Sequence, residues 1–510
     1  MNRTAKSISI ISILLFLAKI FALVREMTVA KYYGVSGQTD AYNMAFYIID
    51  LSTAMISITV ATIIIPMYSR KLAERTKDEA DYFANNILWI TCFLYGVISL
   101  IGIIFAPFLI KIFAPDFNSE TSAMTINMIR MMFIFTIGTN IVNYLSSVSK
   151  THQKYSVTAL VAIPMSIATI ISIVFLSKYI GIYALVVGFI SYTVIQVIML
   201  IVSVRDIFKF KFVINFINGD FKEVVILSIP ILMNSAVWQI NGIVSRILAS
   251  GLTAGSISAM DYANKIRSLP DGIISAAILT VIFPILSKYA ANKDYPNVKI
   301  LTTKSISLLF LALMPIIVVS LYYNKGIIKI IYERGAFTPD KTAITAHIFV
   351  YTIISLIFIG GVAFLNSTFY SMQDTKTPRN GGFIYVGSNI ILNLILVRYM
   401  QAAGLALATS ISYFLNFVIL FIQFRRKCGA FGGLLLLKNI AKCLIAAACM
   451  IPVFFLCELI RNKLPLIIFF GFVVIISFAV YALILYLLKA ELFIEALNRT
   501  KSYLIKSKNK

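Results

Sequence analysis

Charge is the scarcest commodity in this sequence. Of its 510 residues 13% are charged and 60% are hydrophobic, whereas a soluble domain carries about 25% charged residues. That shortage excludes a water-soluble globule of this length, because too little polar surface remains to cover it. Histidine is nearly absent: only His152 and His347 occur, far apart. Acids number 21, with no DxD string, and no HExxH, GxSxG or GxxxxGK[ST] pattern is present. A membrane-embedded glycosyltransferase or hydrolase would need such groups, so no catalytic residue is nominated and no cofactor is expected. The five cysteines (Cys92, Cys428, Cys443, Cys449 and Cys457) are odd in number and lack metal-ligand spacing. No metal site is expected, and small buried thiols are the ordinary reading. Although the formal charge is +24, the bases are scattered through short loops, which speaks against nucleic acid as a partner.

Long apolar runs are what the chain does have. A hydrocarbon core about 30 Å thick takes roughly 20 apolar residues per helix. The runs are continuous rather than alternating in period two, which argues for helices over a β-barrel. Fourteen spans follow, at Ser7–Lys31, Ala41–Pro66, Asn86–Ala114, Met124–Ser149, Tyr155–Ser177, Ile180–Ser203, Glu223–Ala249, Ser256–Leu286, Leu301–Tyr323, Thr342–Met372, Gly381–Val397, Ala402–Phe424, Lys438–Leu459 and Leu464–Leu488. The first, preceded by Arg3 and Lys6, lacks a small-x-small cleavage site and runs past Lys19 to Val24, so it is read as a span and not a cleaved signal. The expected class is an all-α integral membrane protein.

Counting basic residues orients it. With the N-terminus in the cytoplasm, 29 of the 45 Lys and Arg fall in cytoplasmic segments and nine on the outer side. The remaining seven (Lys19, Arg25, Lys111, Arg130, Arg246, Lys265 and Arg267) lie in helices. Both termini are then cytoplasmic. The outer loop Asn324–Lys341 is the one basic exception, and the tail Arg499–Lys510 reads as a solvated segment at the surface of anionic lipid.

An internal repeat is visible. Thr62, Pro66, Ser69 and Arg70 recur as Thr280, Pro284, Ser287 and Lys288, all at an offset of 218 residues, and Ile110-Lys111-Ile112 recurs as Ile328-Lys329-Ile330. The offset covers six helices, so the copies share orientation, as in parallel transporter repeats. The expected organisation is an N-terminal lobe at 1–203 and an amphipathic cytoplasmic linker at 204–221. A C-terminal lobe at 222–424 follows, with the last two helices and basic tail at 425–510.

Charges inside a membrane each need a reason, at about 2.5–3.5 kcal/mol apiece on insertion scales. Lys19, Arg25 and Glu26 sit in the first helix, Asp40 and Asp50 in the second, and Asp261, Lys265, Arg267 and Asp271 in the eighth. One reading is self-pairing at four-residue spacing, Asp261 with Lys265 and Arg267 with Asp271. Pairing of Arg25 with Glu26 looks poor, since neighbours point about 100° apart. Asp40 is compatible with a simple interfacial position. The other reading is a hydrated cavity between the lobes, where clustered bases require an anion. At 4 Å and an effective dielectric of about 20, one charge pair is worth about 4 kcal/mol. Asn389 and Asn393, four apart, offer oxygens to an ion, although packing between helices is the commoner use of such pairs.

Several strings carry a family resemblance: Lys19-Ile-Phe-Ala-Leu-Val-Arg25-Glu26, Thr39-Asp40-Ala-Tyr-Asn-Met-Ala-Phe46, Asp261-Tyr-Ala-Asn-Lys265-Ile-Arg-Ser-Leu-Pro270, Phe283-Pro-Ile-Leu-Ser287, Glu333-Arg-Gly-Ala-Phe-Thr338 and Phe369-Tyr-Ser-Met-Gln-Asp-Thr-Lys-Thr-Pro378. The chain resembles the MurJ (MviN) family of the multidrug/oligosaccharidyl-lipid/polysaccharide exporter superfamily. The resemblance implies a flippase moving lipid II, the undecaprenyl-diphosphate-linked disaccharide-peptide, to the outer leaflet by alternating access, most naturally as a monomer. It implies substrate contacts at Arg25, Lys19 and Lys265, with Arg267 as a possible substitute, and acidic cavity or gate positions at Glu26, Asp40 and Asp261. Lysine at 19 and 265 keeps the charge but loses the planar fork suited to phosphate. A further family arginine aligns near Thr53. Rival readings are an exporter of another lipid-linked glycan or of cationic drugs, and a wall-synthesis scaffold that transports nothing.

Overall fold

The computed structural model describes residues 3–429, 433–495 and 497–498. Among them the chain is helical throughout, with no strand. The basic tail Arg499–Lys510 lies outside the described residues. In chain order the helices are α1 (Arg3–Tyr33), α2 (Gly37–Glu74), α3 (Lys77–Ile104), α4 (Ala106–Phe113), α5 (Ser119–Phe133), α6 (Thr136–Thr151), α7 (Tyr155–Leu160), α8 (Ala162–Ile180), α9 (Tyr183–Val204) and α10 (Gly219–Ser250). Then come α11 (Ser256–Pro270), one π-helical turn at Asp271–Ser275, α12 (Ala276–Ala291), α13 (Tyr295–Tyr322), α14 (Asn324–Tyr332), α15 (Pro339–Ser371), α16 (Lys376–Cys428), α17 (Gly433–Ala448), α18 (Met450–Glu458) and α19 (Leu466–Leu487).

Among the described residues ten helical stretches are long and apolar enough to cross a membrane, and the bent pair α5–α6, broken by 48°, makes an eleventh. Helix α16 holds two spans: it is 53 residues long, and Gln401 interrupts it with φ 50° and ψ −132°. With α1 and α10 (31 and 32 residues), the helices accommodate the fourteen spans expected. Helices α2 and α3 overrun the expected spans, α2 continuing through Pro66 to Glu74 and α3 starting at Lys77 rather than Asn86, and two further differences concern short helices. The third span ends at Ile104, and Pro107 opens the separate short helix α4. The supposed outer loop Asn324–Lys341 begins as a helix, α14.

These two corrections belong together. Helix α4 starts at Ala106 and α14 at Asn324; α3 starts at Lys77 and α13 at Tyr295, each 28 residues long. Both pairs keep the 218-residue offset read from side chains. The short helix is therefore part of the repeating unit, hidden from a hydropathy reading because it continues the preceding apolar run.

The chain forms two compact units, Met1–Ala259 with Tyr332–Lys341, and Met260–Ile331 with Thr342–Lys510. The first has a core of Ile64, Tyr68, Phe83, Tyr144, Leu200 and Phe208. The second packs Tyr323, Phe454, Phe469 and Val473 together. Where backbone breaks inside apolar surroundings, side chains supply the missing partners, because an unmet polar group is costly there. Ser99 Oγ donates to the Phe133 carbonyl at the α5–α6 bend (2.6 Å), and Gln196 Nε2 donates to the Val161 carbonyl between α7 and α8 (2.7 Å). Apolar side chains such as Phe175, Val281 and Ile475 remain exposed, as a lipid-facing surface requires.

Candidate functional site

Helix α1 carries Arg25 and Glu26 into the first unit. Arg25 donates through Nε and Nη2 to Glu26 Oε1, at 3.1 and 2.7 Å, with both side chains largely buried. This corrects the expectation that the geometry for pairing these neighbours is poor. Their Cα–Cβ bonds diverge, but the arginine side chain is long enough to fold back around the helix. Tyr42 and Tyr192 are electrostatic neighbours of the same guanidinium. Lys19 is exposed and makes no hydrogen bond or ion pair among the described residues.

One position singled out for being uncharged, Thr53, is buried and turned inward. Its hydroxyl donates to the Ile49 carbonyl (3.0 Å), and its own carbonyl accepts from Tyr95 Oη (2.9 Å). The Tyr95 hydroxyl also contacts Ser57 Oγ, which accepts from Asn143 Nδ2. Helix α10 contributes a base: the Arg246 guanidinium lies 5.1 Å from the centre of the Tyr47 ring, with Asp50 a further electrostatic neighbour of Tyr47. Sequence reasoning counted Arg246 and Asp50 among the intramembrane charges but left them off the site. Giving each such charge equal weight would have retained them.

Asp40 is not a loose interfacial residue. It is buried in the first turn of α2, whose start is fixed by a capping box between Ser36 and Thr39. Its carboxylate accepts from the Gly255 N–H at 2.6 Å and the Ser258 N–H at 2.7 Å. Those amides open α11, where backbone N–H groups have no intrahelical partner and the helix dipole favours an anion. The result is a latch between the beginnings of two helices 215 or more residues apart. Beside it, the Ala336 N–H donates to the Lys31 carbonyl (2.8 Å), which ties Glu333-Arg-Gly-Ala-Phe-Thr338 to the end of α1. Gly34 and Gly335 make this approach possible. Both have positive φ, and a Cβ on either would stand 2.3 Å from a carbonyl oxygen of the opposite strand, Ala336 or Lys31.

In the second unit, Lys265 Nζ lies 5.5 Å from the centre of the Tyr262 ring. Asp261, one turn earlier, is half-buried, and both it and Lys265 have interaction partners. Arg267 and Asp271 form no ion pair, contrary to the self-pairing reading. The helix widens into a π turn at Asp271, which removes the four-residue register that the pairing needs. Arg267 Nη1 is buried without a hydrogen-bond partner. Asn393 Nδ2 donates to Asn389 Oδ1 (2.9 Å), and Asn389 Nδ2 to Thr409 Oγ1 (3.4 Å), so these amides bind one another and the half of α16 that follows Gln401. Among the described residues no three His, Cys, Asp or Glu side chains gather as metal ligands.

A family model described as lipid II flippase MurJ matches residues 29–478. A probable lipid II flippase MurJ of Rickettsia prowazekii is 28% identical over 422 residues, covering 81% of this chain and 82% of its own. A probable lipid II flippase MurJ of Thermotoga maritima is 26% identical over 486 residues, covering 95% and 96%. Among solved structures, lipid II flippase MurJ in an inward closed conformation superposes with a TM-score of 0.80 at 24% identity, covering 96% of this chain and 99% of that one. An inward-facing multidrug resistance MATE family transporter of the MOP superfamily gives 0.65 at 11% identity, covering 81% and 94%; both likenesses concern the fold. A multi-pass helical chain matched over most of its length by one family model leaves a single assignment: it belongs to the lipid II flippase MurJ family.

Proposed function

We propose that this protein is a transporter, not an enzyme, and that it moves lipid II from the cytoplasmic to the outer leaflet. The observation that carries the reading is the set of bases in membrane-spanning helices of a chain with this family membership. Arg25 on α1 and Arg246 on α10 belong to one compact unit, and Lys19 extends it along α1. Lys265 and Arg267 are bases of the second unit. Bases in a low-dielectric setting attract the diphosphate of a polyprenyl-linked sugar, while the tail stays in the bilayer. Arginine suits that role through its planar fork, and Arg246 takes the place left by Thr53.

The Asp40 latch serves as a gate. Closed, it holds the starts of α2 and α11 together; opened, it frees a carboxylate and two backbone amides to water. Alternating access follows from making and breaking such contacts, with Glu26 and Asp261 as further acidic positions and Asn389 with Asn393 as a candidate ion site. The two repeats at 1–203 and 222–424, joined by the linker 204–221 and followed by 425–510, supply the moving parts. Both termini are assigned to the cytoplasm and the working form to a monomer.

Complementation of a bacterium depleted of its lipid II flippase tests the reading. Wild type restores outer-leaflet lipid II; Arg25→Ala and Arg246→Ala, at matched abundance, each lower it at least tenfold, in line with loss of a charge-assisted contact worth about 1.5–3 kcal/mol. If inserted wild type leaves lipid II in the inner leaflet, the substrate is another lipid-linked glycan. If Arg246→Ala transports normally, Arg246 is not a substrate contact.

A further inference from the structure

The linker between α9 and α10 alternates in a way that transport does not explain. From Phe208 to Ile217 it reads Phe-Lys-Phe-Lys-Phe-Val-Ile-Asn-Phe-Ile. Even positions are aromatic or aliphatic throughout, while odd positions include Lys209, Lys211 and Asn215. In an extended segment these sets face opposite ways. The backbone here pairs with no strand and is held by side chains of α3. Asn85 Nδ2 donates to the Lys209 carbonyl and Asn85 Oδ1 accepts from the Lys211 N–H, at 2.8 and 2.9 Å. Asn86 does the same with Asn215, at 3.0 and 2.6 Å. Trp89 Nε1 donates to the Lys211 carbonyl at 3.0 Å. One helix face thus stands in for the edge of a sheet.

The segment so fixed closes one end of an apolar groove of about 450 Å³. Its long wall is the α3 face Trp89, Phe93, Gly96, Val97 and Leu100, its end Phe212 and Ile214. Eleven residues separate Trp89 from Leu100, so the wall runs about 16 Å along the helix. Phe93 and Leu100 are more than half exposed and Phe212 about three-quarters, which leaves the groove open along its side. The Phe212 ring lies 5.0 Å from that of Trp89, edge to face. Because α3 spans the membrane, the surroundings of that wall are hydrocarbon. The alternate positions of the same segment are exposed cations, whose long stems let an ammonium group reach past the segment's edge while its apolar part lies along it. Lys209 is 3.4 Å from Asp78, both well exposed, and Lys211 makes no ion pair among the described residues. A ligand with an acyl chain and a negative head matches both halves.

We propose that this groove binds an anionic glycerophospholipid of the cytoplasmic leaflet, with one acyl chain along α3 beneath Phe212 and the phosphate at Lys211 and Lys209. This site is separate from the substrate bases and stands whether or not lipid II is the cargo. The lipid pins the linker to the membrane surface, so its presence sets how freely α9 and α10 move relative to one another.

The test uses full-length protein reconstituted with phosphatidylglycerol or phosphatidylcholine of identical chains, with retained lipid read by native mass spectrometry. Wild type retains phosphatidylglycerol at least fivefold over phosphatidylcholine. The pair K209Q and K211Q removes the preference. Gly96→Phe fills the groove and reduces retention of both lipids; a Cβ at Gly96 meets only Ile137, at 3.8 Å. Independently of that variant's folding, phosphatidylglycerol brominated on the acyl chain quenches Trp89 fluorescence in a Trp238→Phe background, and does so more than brominated phosphatidylcholine. Equal retention of the two lipids by wild type, or equal quenching, overturns the proposal.

Discussion

Arg25 and Glu26 leave α1 in different directions and still meet at 2.7 Å. A reading from helix angles alone treats side chains as short spokes, and fails for arginine. The same limit explains Asp40. Its charge and helix start were legible, but its partners are backbone amides of Gly255 and Ser258, and backbone donors have no signature in sequence. Arg246 is visible in the sequence, but no acid stands three or four residues from it to single it out, and Tyr47, over whose ring it lies, comes from another helix. The glycines were legible only as part of a motif. At Gly34 the backbone has φ +60° and a Cβ would lie 2.3 Å from the Ala336 oxygen, whereas Gly181 has φ +57° and open space. Gly181→Ala therefore bears conformational strain alone, about 1–3 kcal/mol at a ψ of −136° that essentially only glycine adopts with positive φ, and Gly34→Ala adds a backbone clash to its own strain, for a total above about 3 kcal/mol. Thermal unfolding in detergent should place Gly34→Ala well below Gly181→Ala; equal midpoints would mean that the segment around Ala336 moves away without penalty.

Helices were legible from apolar runs, their interruptions less so. Gln401 splits α16 where the sequence reading had already ended one span and begun the next. The α3–α4 break at Phe105 was missed because both sides are apolar. The turn between α15 and α16 shows how a motif becomes a structure. Asp374 accepts from the Thr377 N–H (3.0 Å), the Thr377 hydroxyl (2.8 Å) and Lys427 Nζ (2.6 Å). Burial opposes its ionisation, yet the Lys427 and Thr377 hydrogen bonds prevail and bring its pKa to about 2. A depressed carboxylate stabilises the fold above its unfolded value near 4 and loses that contribution as pH falls toward 2. Wild type should therefore lose stability across that window by more than Asp374→Asn does, measured as unfolding midpoint against pH. Parallel curves would show that the turn contributes nothing through charge.

For the whole molecule, composition alone dictated a helical membrane protein, and the 218-residue offset in side chains reappears in the starts of α3 and α13 and of α4 and α14. Orientation rests on basic residues, so it is testable as a unit. Single cysteines placed at Thr4 and Ser507 in a cysteine-free background should react with an impermeant maleimide only after the cells are opened; labelling of either in intact cells would reverse the assignment. The Asp40 latch has one more consequence. Ser258, which donates to Asp40, is the residue 218 positions further on, its own counterpart in the repeat. Two identical chains meeting about a symmetry axis would bring aspartate against aspartate there, and the latch would repel itself. Only copies that have diverged can set an acid in one against a small neutral residue, with its backbone N–H free to donate, in the other. Divergence between the halves is thus a condition for the contact, and a homodimer of either half cannot reproduce it.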